Sequence, residues 1–138
     1  MNQSLNAASA KWGLVPLRAA VGIVFLMHGW QKIFVFGISG TAQILHWIGI
    51  PLPAFFALVL MIVEFGGGLA ILFGAFARLA GAALAFEMVV AIFTARIKGG
   101  FFTPTGFEFE MVLLGGCLTI AMLGSGAFSL DRQLMRPR

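Results

Sequence analysis

The sequence predicts an all-α membrane protein: a four-transmembrane-helix bundle with a short interfacial helix in the first loop. Two observations carry that reading. The 138-residue chain is 60% hydrophobic and 10% charged, with a mean hydropathy of +1.01, whereas soluble chains carry about 25% charged residues. A domain this small leaves much of its surface exposed, so this much apolar side chain calls for lipid as the solvent. The apolar residues also collect into four segments, about 14–34, 54–76, 79–97 and 107–127. As helices these extend roughly 28–35 Å at about 1.5 Å per residue, enough to cross a bilayer. Backbone groups in lipid must bond internally, and four strands cannot close a barrel, so helices are the solution. One membrane domain over residues 1–138 follows.

The first apolar run starts just after Lys11 and continues from Leu14 to Phe36. It is too long for the apolar stretch of a secretory leader and no A-x-A-like site follows it, so a retained transmembrane helix is expected. The first loop holds "GTAQILHWIGIPLP", which predicts a short interfacial helix near Thr41–Trp47, ended by Gly49 and Pro51, with His46 exposed. Helices two and three are joined only by a short turn around Ala77–Arg78, so they must be antiparallel neighbours. The third loop, "KGGFFTPTG", reads as a Gly/Pro-rich turn with exposed aromatics. Beyond Gly126 the tail is short and polar.

Small residues recur every fourth position: Gly66, Ala70 and Gly74; Ala77, Gly81 and Ala85; Cys117, Ala121 and Ser125. Such stripes let helix backbones approach closely in lipid. The side with both termini carries Lys11, Arg18, Arg78, Arg132, Arg136 and Arg138, and the other carries Lys32, Arg96 and Lys98. Six against three places both termini in the cytoplasm. Trp12 at one end of helix one, and Trp30 and Trp47 at the other, suit the two membrane interfaces.

Several functions are excluded. The net charge of +4 is scattered, with no block of like charges, which argues against nucleic-acid binding. The single cysteine, Cys117, rules out an internal disulfide, a CxxC pair and a cysteine zinc cluster. His28 and His46 are the only histidines and sit on different elements, so neither a bis-histidine haem nor another metal site is expected.

The polar residues inside the apolar segments carry the remaining signal. Along straight helices, His28 lies roughly 21 Å and Glu64 roughly 20 Å from the cytoplasmic ends, in one layer. Lys32, Arg96, Glu108 and Glu110 fall at roughly 25–28 Å, Glu87 at roughly 14 Å and Arg18 near 6 Å. An outer-half cluster of His28, Lys32, Glu64, Arg96, Glu108 and Glu110 is expected, with Arg18 and Glu87 as polar residues of the core. His28 and Lys32, four apart, face the same way. Lys32 and Arg96 can alternatively snorkel to the interface. Glu108 and Glu110 can serve the positive end of helix four. His28 can be a neutral packing residue with one hydrogen bond. Glu64 and Glu87 are too deep to snorkel, and an unpaired mid-membrane charge costs about 2.5–3.5 kcal/mol even on insertion-based scales, so both should turn inward.

The sequence resembles the DoxX family of small four-helix membrane proteins. The resemblance rests on "RAAVGIVFLMHGWQKIF", "GTAQILHWIGIP", "EFGGGLAILFGAFAR", "GGFFTPTGFEFE" and "GSGAFSLD", which together cover almost the whole chain. The family pattern falls on Arg18, Gly22, His28, Gly29, Lys32, Gly49, Pro51, Glu64, Gly68, Arg78, Glu108 and Asp131. Phe107 and Phe128 stand where the family often has tyrosine, Gly124–Ser125–Gly126 where it often has Gly-Pro-Gly, and Glu110 at an ordinarily apolar or proline position. The resemblance implies kinship with the membrane subunits of thiosulfate:quinone oxidoreductases.

The expected function is therefore a quinone-linked, redox-associated subunit of the bacterial inner membrane, acting with a partner protein or as a homo-oligomer. His28 and Glu64 would pass protons while Lys32 and Arg96 stabilise negative charge. A non-catalytic scaffold or chaperone, and a small transporter or proton pathway using the carboxylates, stand as alternatives.

Overall fold

The structure is a computed structural model that describes residues 2–134. Arg136 and Arg138, two of the six cations that set the expected orientation, lie outside the described residues. The described chain is helical throughout, without strands: α1 (Asn2–Gln31), α2 (Gly37–Trp47), α3 (Pro53–Phe73), α4 (Ala77–Ala91), α5 (Glu108–Leu123) and a short α6 (Leu130–Leu134). Three stretches are long and apolar enough to cross a membrane: Ser9–Trp47, Pro53–Phe73 and Ala77–Gly99. The fourth helix, α5, has 16 residues, or about 24 Å, which is about one turn short of a typical hydrocarbon core.

Helix α1 begins well before the apolar run and passes into α2 without a loop, through a π-helical turn at Lys32–Phe36. Gly37, with φ 65°, makes the bend between them. The expected interfacial helix thus starts earlier than Thr41 and packs along α3, burying Thr41 and Leu45. A second π turn, Ile92–Arg96, and a single 3₁₀ turn, Ile97–Gly99, extend α4. Helix α3 stops at Phe73 because Gly74 takes a left-handed conformation (φ 67°) and closes the turn.

Helices α1 and α3 pair, α4 and α5 pair, and the α3–α4 contact joins the two pairs. The core takes Val21 and Phe25 from α1, Ile71 from α3, Leu84 and Met88 from α4, and Leu113, Cys117 and Ile120 from α5. Three consecutive glycines in α3 point in different directions. Gly66 faces open space, Gly67 meets Leu84 of α4, and Gly68 lies where a Cβ would come within 2.5 Å of the Leu26 amide nitrogen. Gly29 of α1 is equally tight, with Phe65 Cα 2.7 Å from where its Cβ would be. Backbone therefore touches backbone along α1–α3, as small residues permit in lipid. The same holds for α4–α5 at Gly81, against Cys117 and Ala121.

The end of the bundle that holds the α3–α4 turn is locked by Arg18. Its guanidinium donates to Ile71 O (2.9 Å), Leu72 O (3.0 Å), Ala127 O (2.9 Å), Phe128 O (3.3 Å) and Ser125 O. These are the last carbonyls of α3 and those of the segment after α5, so a buried cation serves the negative end of a helix. Asp131 completes the lock by accepting from the Phe76 and Ala77 amides at 2.7 and 3.2 Å, which caps α4.

Candidate functional site

The close α1–α3 crossing decides which polar groups meet. Gly29 lies one turn before Lys32, and its partner Phe65 is the chain neighbour of Glu64. Lys32 Nζ consequently donates to both oxygens of Glu64, at 2.8 and 2.6 Å. Glu64 is buried and the Lys32 side chain is 19% exposed. On the other helix pair, Arg96 Nε donates to Glu110 Oε1 at 2.8 Å, and Arg96 also donates to Pro104 O at 3.1 Å. Both cations stand on π turns: Lys32 opens the first and Arg96 closes the second. The wider turn breaks the register assumed for straight helices, and π turns are frequent at functional sites.

The expected His28–Glu64 pair does not form. Glu64 is taken by Lys32, and His28 is exposed on the flank of α1, its ring 6.2 Å from that of Phe109. It still lies in the electrostatic field of Lys32, Glu64, Glu110 and Arg96. A cavity of about 240 Å³ adjoins it, lined by Met27, Trp30, Gln31 and Val35. Glu108 is also separate from the cluster: its carboxylate accepts from the Thr103 amide and hydroxyl, both at 2.7 Å, and holds the third loop against α5. Arg18 belongs to the opposite lock and not to this group. His46 is exposed on α2.

Glu87 sits behind the Lys32–Glu64 pair. Its carboxyl adjoins that of Glu64, with Lys32 and the Cys117 thiol of α5 within electrostatic range. Glu87 Oε2 and Glu110 Oε2 are enclosed, with no hydrogen-bond partner among the described residues. No group of three metal-ligating side chains occurs among the described residues.

An apolar groove of about 500 Å³ includes Ile33 and Phe65, the chain neighbours of the ion pair, and is lined by Ile33 and Ile38 on one side and by Leu58, Met61, Ile62, Phe65 and Gly66 of α3 on the other. Nothing in the sequence marked it, because its walls come from the π turn and α2 on one side and α3 on the other, stretches separated in the chain. Gly66, read as part of a packing stripe, lines this groove.

The sequence has counterparts among known proteins. The DoxX family model matches residues 13–97, more than half of the chain. The chain belongs to the DoxX family. This DoxX protein is 36% identical over 137 residues to the inner membrane protein YqjF of Escherichia coli, with 88% of this chain and 92% of that protein covered. It is 35% identical over 119 residues to CatD of Bacillus subtilis, provisionally named an oxidoreductase, covering 86% and 84% of the two chains. The membrane protein Rv3486 of Mycobacterium tuberculosis is 32% identical over 134 residues, covering 89% and 82%. No solved structure matches the chain. The matched region of the DoxX model contains Lys32, Glu64, Glu87 and Arg96, while Glu110 lies beyond it.

Proposed function

We propose that this DoxX protein is a quinone-linked, redox-associated subunit of the bacterial cytoplasmic membrane. It acts with a partner protein or a second copy that brings the electron donor, and both termini lie in the cytoplasm. The observation that carries the reading is the Lys32–Glu64 pair and its surroundings. Lys32 spends two donors on Glu64, and an ammonium has three. Its side chain is partly open, and the groove begins at Ile33 and Phe65, the chain neighbours of the two partners. A cationic donor beside an apolar groove suits a flat apolar ring that carries carbonyl oxygens. The groove volume falls in the ordinary range for small-molecule sites, roughly 300–1,000 Å³. The naming of CatD as a provisional oxidoreductase supports the same class.

A bound quinone supplies an acceptor for two electrons from the donor and two protons from the protein. Lys32 directs its free N–H at a carbonyl oxygen and stabilises negative charge there. Glu64 holds the ammonium in place and passes a proton. His28, exposed in the field of both ion pairs, carries protons at the flank of the site. Arg96, bonded to Glu110 and Pro104, shapes the field from the other helix pair.

The test uses the protein purified in nanodiscs and titrated with decylubiquinone, read by quenching of its tryptophans, of which Trp30 is nearest in sequence to Lys32. Saturable quenching and a stoichiometric native quinone are expected. Glu64→Gln should lose both while remaining inserted. Equal, unsaturable quenching in the two proteins would sink the proposal.

One observation favours a second reading, a non-catalytic scaffold. All four charges of the two pairs join one helix to another: Lys32 to α3, and Arg96 to α5. On that reading Glu64→Gln lowers stability and partner recovery together, and no quinone accompanies the protein.

A further inference from the structure

Glu87 has no part in the site as described so far, yet its position gives it one. Both oxygens of Glu64 accept from the Lys32 ammonium at 2.8 and 2.6 Å. The Glu87 carboxyl comes against Glu64 from α4, and its Oε2 is sealed from solvent with no partner among the described residues. Glu87 meets Glu64 of α3, and Lys32 of the first π turn and the Cys117 thiol of α5 are the other titratable groups within its electrostatic range. One ammonium therefore meets two carboxyls. Two carboxylates in contact repel strongly and settle by sharing a proton. An uncompensated charge in this setting is also costly. Glu64 faces the ammonium and can only accept, so the hydrogen between the carboxyls must come from Glu87.

We propose that Glu87 is the proton-bearing member of a Glu87–Glu64–Lys32 triad and the internal donor that recharges Glu64. The inference rests on the preceding reading only for where the proton finally goes. At rest the triad is neutral: one ammonium, one carboxylate and one carboxylic acid. In the transfer, the Glu87 O–H bond breaks and a Glu64 O–H bond forms, leaving the total charge unchanged. Glu64 then delivers the proton to the acceptor oxygen beside Lys32, and the triad carries one negative charge until a proton from water returns to Glu87. The transfer runs across the α3–α4 contact. Glu87 is thus a donor acting through Glu64 and does not touch the acceptor.

The experiment needs no quinone. Wild-type protein in nanodiscs is examined by infrared spectroscopy at neutral pH for a carboxylic-acid C=O stretch that shifts in deuterated water. The band should be present in wild type and in Glu108→Gln, and absent in Glu87→Gln. It should also be lost in Glu64→Gln, where Lys32 has only Glu87 left to pair with and Glu87 ionises. Carboxyl carbon chemical shifts from wild-type protein labelled with ¹³C-glutamate give the same answer without any substitution, should Glu87→Gln fail to fold. A wild type with no protonated glutamate, or a band that survives Glu87→Gln, overturns the triad. A Glu87 proton in a protein that binds no decylubiquinone would leave the triad standing and remove the quinone reading instead.

Discussion

Gly29→Ala tests the contact that sets the site. A Cβ at this position would lie 2.7 Å from Phe65 Cα and 2.8 Å from Phe65 Cβ, with the Phe65 amide nitrogen nearer still. Ordinary contact begins at 3.4 Å, so α1 and α3 must part by at least about 0.7 Å, and the obstacle is backbone that cannot rotate away. Overpacking of this kind typically costs about 1–3 kcal/mol. Gly66→Ala is the matched control, because nothing lies within 4 Å of its Cβ position. There the change should be neutral or favourable by up to about 1 kcal/mol, from the lower entropy cost of alanine in a helix. Reversible unfolding in mixed micelles, followed by tryptophan fluorescence, gives both values. The same wedge sits one turn from Lys32 and beside Glu64, so Gly29→Ala should also weaken the ion pair. If Gly29→Ala stays within about 0.5 kcal/mol of wild type, the helices do not cross as described, and the geometry of the ion pair falls with them.

Two further outcomes concern the opposite end. Arg18→Lys should destabilise by about 1–3 kcal/mol, because a single ammonium cannot serve the carbonyls that the guanidinium fork reaches; wild-type stability in Arg18→Lys would refute the lock. Asp131→Ala removes the cap from α4 and should cost about 0.5–2 kcal/mol, with faster hydrogen exchange at the Phe76 and Ala77 amides, and unchanged protection there would show that the cap is not formed.

Much of the fold was legible because lipid imposes simple demands. Apolar length gave the helix count, and the small residues of α4 and α5 marked a real contact at Gly81. Helix ends were less legible. α1 starts before its apolar run because helix formation does not require a lipid environment, and α3 ends early because Gly74 closes it. In the site, the depth reading puts His28 level with Glu64 and Lys32 about a turn further out, whereas it is Lys32 that bonds Glu64. The depth estimate assumed straight helices, whereas Lys32 and Arg96 stand on π turns that rotate and advance the chain. No spacing rule reveals such a turn in a single sequence. The glycine reading failed for a related reason. "GGG" at 66–68 was taken as one stripe member, yet consecutive helical residues lie about 100° apart, and Gly68, not Gly66, meets α1.

The roles of the charged residues follow from how many partners each can satisfy. Arg18 is spent on backbone carbonyls, and Glu108 uses one carboxylate oxygen to hold the third loop, away from the Lys32–Glu64 pair. Arg96 gives two of its five N–H donors to Glu110 and Pro104 and stands on the other helix pair, away from the groove. Lys32 keeps one donor beyond its carboxylate, and Glu87 and Glu110 each keep an enclosed oxygen with no partner among the described residues, that of Glu87 beside Glu64. Unspent hydrogen-bonding capacity inside a membrane protein costs stability, and it persists where something must be bound or moved. That is the physical reason for proposing a site at Lys32, Glu64 and Glu87, while Arg18, Glu108 and Asp131 hold the helix ends and loops together.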